Sequence, residues 1–222
     1  MRPIKILLVS AVALSSALVP ALAQNGASAR PGIGAYLYDE TSGDYGVTFR
    51  VWAPNADSVH VAGTFNFWST TSRPLFVEAD GYWSVDVPFV QPGSQYQFII
   101  RNGDETLWRN DARATLVTNS VGVSVVHDPN SFEWPATDFV TPLANDLVIY
   151  EMHIGTFGTT PGDSSVGTIV KATERLDYLA SLGISAIELM PFFEFPGDYS
   201  WGYNPSHCYA VEEAYGTPDE FK

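Results

Sequence analysis

Leu147-Val148-Ile149-Tyr150-Glu151-Met152-His153-Ile154 and Ile184-Ser185-Ala186-Ile187-Glu188-Leu189-Met190-Pro191 frame a single helical stretch, Thr168 to Leu182. Both outer runs are short and mostly apolar, as parallel strands covered on both faces must be. Between them Ile169, Leu176, Leu179 and Leu182 recur at helical spacing, and Gly183 supplies a C-terminal stop. Strand, helix, strand is a βαβ unit, and parallel neighbours need such a crossover. Downstream, Thr217-Pro218-Asp219-Glu220 carries an N-cap, a proline at the first helical position and a capping-box glutamate. The signal announces a second helix of which only the first turn is present. Two parallel strands neither close a barrel nor cover a core, so the chain is expected to be the front part of a larger protein.

Upstream of the βαβ unit the period is two. Val47 to Trp52 alternates and ends at Ala53-Pro54-Asn55, and Ser58 to Ala62 is closed by Gly63. Tyr82 to Val87 follows an Asp80-Gly81 turn. Gln95 to Ile100 follows Pro92-Gly93 and runs into an Asn102-Gly103 hairpin signal, and Val121 to Val126 is a last strand. Short strands at regular spacing with turn residues between them predict an all-β sandwich of about 100 residues, immunoglobulin-like in architecture. The expected organisation is a signal peptide over 1–23, a flexible lead over 24–34, the sandwich over 35–130, a linker over 131–145, and a βα segment over 146–222.

The first 23 residues have their own logic. Arg2 and Lys5 precede an apolar run from Ile6 to Val19, and Ala21-Leu22-Ala23 is a small-x-small cleavage site. The run is short for a membrane span. Cleavage after Ala23 is expected, giving a secreted or periplasmic chain. Of 11 basic residues, losing Arg2 and Lys5 leaves 9 against 25 acids, a net charge of −16. Such an acidic chain is a poor partner for nucleic acid or anionic membrane and suits an uncharged substrate. The single Cys208 has no internal partner and reads as a buried free thiol. His207 has no second ligand at zinc spacing, so neither a metal nor any other cofactor is expected.

Several stretches carry a family likeness. Leu147 to Phe157 resembles the first barrel strand of the α-amylase superfamily (glycoside hydrolase family 13). Leu176 to Pro191 resembles its first helix and second strand, and Trp201-Gly202-Tyr203-Asn204-Pro205 with Tyr215-Gly216-Thr217-Pro218 resembles the loop and helix that follow. The sandwich is similar to the family 48 carbohydrate-binding module through Val51 to Ala56, Gly63-Thr64-Phe65-Asn66-Phe67-Trp68 and Tyr96-Gln97-Phe98. The resemblance implies a sandwich followed by the start of a (β/α)8 TIM barrel, truncated after about two strands.

It also implies a retaining glycosyl transfer on an α-glucan such as glycogen, starch or a maltooligosaccharide. Two carboxyl groups roughly 5–5.5 Å apart carry such a reaction. The family places its three catalytic carboxylates on strands four, five and seven, so no catalytic residue is expected in this chain. Within the superfamily the text is most like 1,4-alpha-glucan branching enzymes. Trehalohydrolases and amylase- or pullulanase-type hydrolases are the alternatives, and the secretion signal favours the hydrolases. A secreted glycan-binding protein without catalysis is the alternative of another class.

Site residues follow residue by residue. Tyr203 matches the tyrosine that stacks on the sugar ring beside the nucleophile, an aromatic face being suited to the C–H side of a pyranose. Trp68 and Trp108 match a glucan-binding platform, although Gln97 and the loop Asn119 to Val123 depart from the binding pattern. Packing against the barrel, through Trp108 to Asp111 and Arg113, is the alternative for this region. Trp52 and Trp83 are expected in the core, Trp201 beneath its loop, and Tyr209 in a structural role. Glu151 and His153 share a strand face, as a hydrogen-bonded pair in the barrel wall or a polar contact at the floor of the site. Glu194 and Asp198 are expected in a solvated loop.

Overall fold

The computed structural model describes residues 26–39, 43–135, 138–159, 162 and 165–222, so the expected signal peptide lies outside the described residues. Among the described residues eight strands build the sandwich: β1 (Gly34–Asp39), β2 (Tyr45–Trp52), β3 (Ser58–Gly63), β4 (Phe76–Val77), β5 (Tyr82–Pro88), β6 (Gln95–Asn102), β7 (Glu105–Arg109) and β8 (Ser124–Val125). One sheet runs β1-β2-β5-β4 and the other β3-β6-β7, with β8 also pairing β6. All their pairings are antiparallel. Asn102 pairs with Glu105 across the Asn102-Gly103 turn, and Gly103 takes the positive φ of 54° that such a turn requires.

Alternation explains the core. Val47, Phe49, Val59, Val61, Val85, Val87, Tyr96 and Phe98 point between the sheets and are almost wholly buried. Phe49 meets Tyr96 and Phe98 edge-on, at centroid distances of 4.9 and 6.5 Å. Burying each such side chain is worth about 1.5–3 kcal/mol. Trp83 packs against this core and gives its indole N–H to Ala53 O at 3.0 Å. Trp52 does not: it lies at the end of β2, is 60% exposed, and only its N–H is taken, by Asp80 O at 3.0 Å.

Thr48, Arg50 and Ser84, on the opposite face of the first sheet, are buried too. They are covered by the segment before β1, which the sequence suggested would be a flexible lead. Ser28 Oγ donates to Asp86 at 2.6 Å, Thr48 Oγ1 donates to the same carboxylate at 2.7 Å, and Arg30 pairs with it. The Arg50 guanidinium donates to the carbonyls of Ser28, Arg30 and Gly32 and forms an ion pair with Glu78 at 2.9 Å. Residues 28–32 therefore cross the sheet as a pinned strap, because buried charge must be partnered.

The second region holds β9 (Ile149–Met152), α1 (Ile169–Thr173), α2 (Leu176–Ser181), β10 (Ala186–Leu189), β11 (Phe193–Glu194), β12 (His207–Val211) and the turn of helix α3 (Pro218–Phe221). β9 and β10 are parallel, with Ile149 opposite Ala186 and Met152 opposite Leu189. The order is an antiparallel sandwich followed by a parallel βαβ unit, as the sequence led one to expect. The single helix read from Thr168 to Leu182 is broken at Glu174–Arg175, where Arg175 has φ −109° and ψ 4°. Thr173 Oγ1 donates back to Ile169 O at 2.9 Å, a contact that competes with the helical ladder. The break leaves Ile169, Ala172 and Leu179 inward but Leu176 and Leu182 exposed. Met152, Ala172 and Leu179 form one small core, and Ile154, Ile169, Phe195, Val211 and Tyr215 another. Among the described residues no helix is long and apolar enough to cross a membrane.

The two regions touch directly. Arg113 donates to the Tyr209 hydroxyl at 2.7 Å and lies 4.9 Å from the centre of its ring. Asn110 Nδ2 lies 3.0 Å from His207 Nε2, and Ala114, Val117 and Ala210 pack together. Further along, Asp219 accepts from Ser131 at 2.6 Å and contacts His127 at 3.2 Å.

Candidate active-site cleft

The carboxyl ends of parallel strands are where barrel proteins place their chemistry. Here the chain leaves β9 at His153 and leaves β10 at Met190-Pro191, so both exits open on the same end. Beside the β9 exit lies a cleft of about 290 Å3 lined by His153, Gly155, Thr156, Asp198, Ser200, Trp201 and Tyr215 among others.

His153 is the hub. Its Nε2 is 3.1 Å from Ser200 O and 3.1 Å from the Tyr215 hydroxyl, and its Nδ1 is 3.1 Å from Thr156 Oγ1. A carbonyl only accepts, so Nε2 carries hydrogen and donates to Ser200 O. Burial, reinforced by the charge of Glu212, pushes the Tyr215 phenol up to about 12. It stays protonated and neutral. A Cβ on Gly155 would fall 2.8 Å from the Tyr215 hydroxyl, so only glycine admits this contact. His153 is not paired with Glu151 in any contact described; Glu151 is exposed and the histidine ties β9 to the downstream loop instead.

That loop, 195–206, carries the aromatic groups. Trp201 sits 5.2 Å from the His153 ring yet is 62% exposed, so it rests on the cleft wall instead of beneath the loop. Tyr203 is 72% exposed, with its ring free on the same turn, and does not itself line the cleft. Ser200 Oγ donates to Asn204 Oδ1 at 2.8 Å and accepts from Gly202 N at 3.1 Å, closing the turn between the two aromatics.

The acids depart furthest from expectation. Asp198 is exposed, but Glu194 is 1% exposed and Glu212 2%. Burial raises the Glu194 carboxyl to about 7; the Glu213 backbone N–H opposes the shift, and the charges of Glu212, Glu213 and Asp198 add to it. Glu212 is raised in the same way, burial first, with the N–H groups of Phe195 and Ala214 opposing. Glu194 was read as a loop acid because two-residue β11 leaves no periodic signal. Its partner strand arrives only 13 residues later, at His207. Cys208, expected to be buried, is exposed on β12. His207 is shifted down by burial and is held neutral against Asn110.

On the sandwich, Trp108 lies on β7 and is 42% exposed, while Trp68 is half-buried on the turn after β3 at φ 58°. Gln97 donates to Asn110 at 2.8 Å, so this polar position serves the contact with His207. Among the described residues no three His, Cys, Asp or Glu side chains are arranged to hold a metal ion.

Residues 33–114 match carbohydrate-binding module 48 (isoamylase N-terminal domain), and residues 129–222 match the alpha amylase catalytic domain. The 1,4-alpha-glucan branching enzyme GlgB of Nitratidesulfovibrio vulgaris is 35% identical over 192 residues, 81% of this chain and 30% of that protein. GlgB of Methylococcus capsulatus is 34% identical over 187 residues, 80% of this chain and 25% of that protein. The chain thus spans less than a third of the length of these curated relatives. Among solved structures, a putative alpha amylase from Salmonella typhimurium superposes with a TM-score of 0.69 at 34% identity, covering 84% of this chain and 29% of that one. Pullulanase type I from Bacillus subtilis, complexed with maltose, gives 0.69 at 29% identity, with 84% and 28% covered.

Proposed function

Because this chain belongs to the α-amylase superfamily, with a family 48 carbohydrate-binding module ahead of the start of its catalytic domain, we propose that it serves a 1,4-alpha-glucan branching enzyme. Such an enzyme cleaves α-1,4 links and re-forms them as α-1,6 through a covalent glycosyl-enzyme, with retention at the anomeric carbon. The observation that carries this reading is the 35% identity to a branching enzyme over 81% of the chain, sandwich and barrel start alike. Tyr203, free and aromatic on the turn beside the cleft, is the group that stacks on a glucose ring. Trp108 and Trp68 are the candidates for a second glucan contact on the module. By the family resemblance, the carboxylates that break the glycosidic bond belong to barrel strands beyond the first two.

Incubating the whole protein with amylose separates the reaction types. Branching shifts the iodine colour without a rise in reducing ends. A rise in reducing ends in step with the colour loss would replace the branching reading with hydrolysis, which the likeness to pullulanase and the putative alpha amylase supports. The residues before Gln24 are proposed to direct export. Amino-terminal sequencing of the protein from its native cells should begin at Gln24, and a start at Met1 would rule the export reading out.

A further inference from the structure

The loop 195–206 is held at its stem by an arrangement that its strands alone do not supply. β11 has two residues, and its ladder with β12 is interrupted: Phe193 faces Val211 but Glu194 faces His207. Two backbone N–H groups at this stem, on Phe195 and Glu213, are taken by carboxylates of the opposite strand. Glu212 Oε2 accepts from Phe195 N at 3.0 Å, and Glu194 Oε2 accepts from Glu213 N at 2.9 Å. The Glu194 carbonyl also accepts from Ser206 N at 2.8 Å, where the loop returns.

We propose that Glu194 and Glu212 are positioning residues for glucan binding: a reciprocal carboxylate-to-amide clamp that fixes the stem of the loop and so sets the place of Tyr203. The proposal rests on the reading of Tyr203 as a glucan contact. Neither carboxylate reaches the cleft, since both side chains are almost fully buried. Their cost is high, because burying carboxylates side by side is unfavourable unless each is hydrogen-bonded. A hairpin that needed only to pack would be served by apolar residues at both positions. What two acceptors add is directional: each holds one backbone amide at one distance, and the exposed loop gains a fixed root. His153 holds the far side of the same loop through Ser200 O. Glu194 and Glu212 face one another, and Glu213 and Asp198 face both, with the neutral Tyr215 phenol beside Glu212.

The test uses the whole protein in four versions beside the wild type: Glu194→Ala, Glu194→Gln, Glu212→Gln and Tyr203→Ala. Amide hydrogen exchange over 195–206 is measured without glucan, and KM and kcat are measured with maltoheptaose. Glu194→Ala should accelerate exchange in this segment about tenfold while leaving the sandwich strands unchanged, and should raise KM about tenfold with kcat nearly constant. Glu194→Gln keeps an acceptor oxygen and should restore both. Glu212→Gln, conservative enough to fold, keeps an acceptor oxygen for Phe195 N and should keep wild-type values. Exchange over 195–206 that is unaltered in Glu194→Ala overturns the clamp. A raised KM in Tyr203→Ala with wild-type KM in Glu194→Ala overturns the positioning role. A wild-type KM in Tyr203→Ala sinks the reading of Tyr203, while the exchange data still decide the clamp.

Discussion

Gly202 shows how one residue decides what the Trp201–Tyr203 turn can present. It sits at φ 79°, in the region where only glycine is free of strain. A Cβ there would fall 2.4 Å from Pro191 O. Backbone and carbonyl cannot both move away, because Pro191 leads from β10. Gly202→Ala should therefore cost about 2 kcal/mol and displace both aromatics. The measurement is the shift in midpoint of denaturant unfolding, and an unchanged midpoint would show that the loop repacks freely. The turn dipeptides Asp80-Gly81 and Asn102-Gly103 were legible beforehand for the same reason: φ is a property of one residue. Burial is not. Trp52, Glu194 and Cys208 were each misjudged, since whether a side chain is covered depends on distant segments.

Among the elements, β11 and β12 carry the pH response. The folded-state carboxyl of Glu194 is raised to about 7, above the usual 4.3 or so for glutamate. An acid raised in this way favours the folded state when protonated. As pH falls from 7 towards 4.5 the folded chain takes up its proton first and gains stability; as pH rises through that window the gain is lost. Glu194→Gln removes the titration. The variant should be more stable than the wild type at pH 8 by about 2 kcal/mol and nearly equal at pH 5. Thermal unfolding at both pH values checks this, and a difference that does not vary with pH would refute it. Element type was readable where the pattern was long: the alternation of β2, β5 and β6, and the apolar runs of β9 and β10. It failed in short elements. β11 is too brief for a period, β1 begins where the expected lead ends, and the break between α1 and α2 falls at Glu174–Arg175, where no glycine or proline announces it.

At the scale of the molecule, the sandwich and the barrel start meet through Arg113 and Tyr209, Asn110 and His207, and the linker contacts of Asp219. Arg113→Ala removes a hydrogen bond and a cation–ring contact together, a loss of about 1 kcal/mol. The two regions should then unfold as separated calorimetric transitions, whereas one unaltered transition would show that this contact does not couple them. Family and architecture were settled by the sequence alone, because strand periodicity, turn glycines and the stretches around Tyr150 and Trp201 are local features. Only the tertiary structure decided that the strap over the first sheet is pinned, that His153 ties β9 to the loop, and that Glu194 and Glu212 root it. Each of these is a bond between groups far apart in the chain. No local pattern encodes the partner of a buried charge; the fold brings the two together.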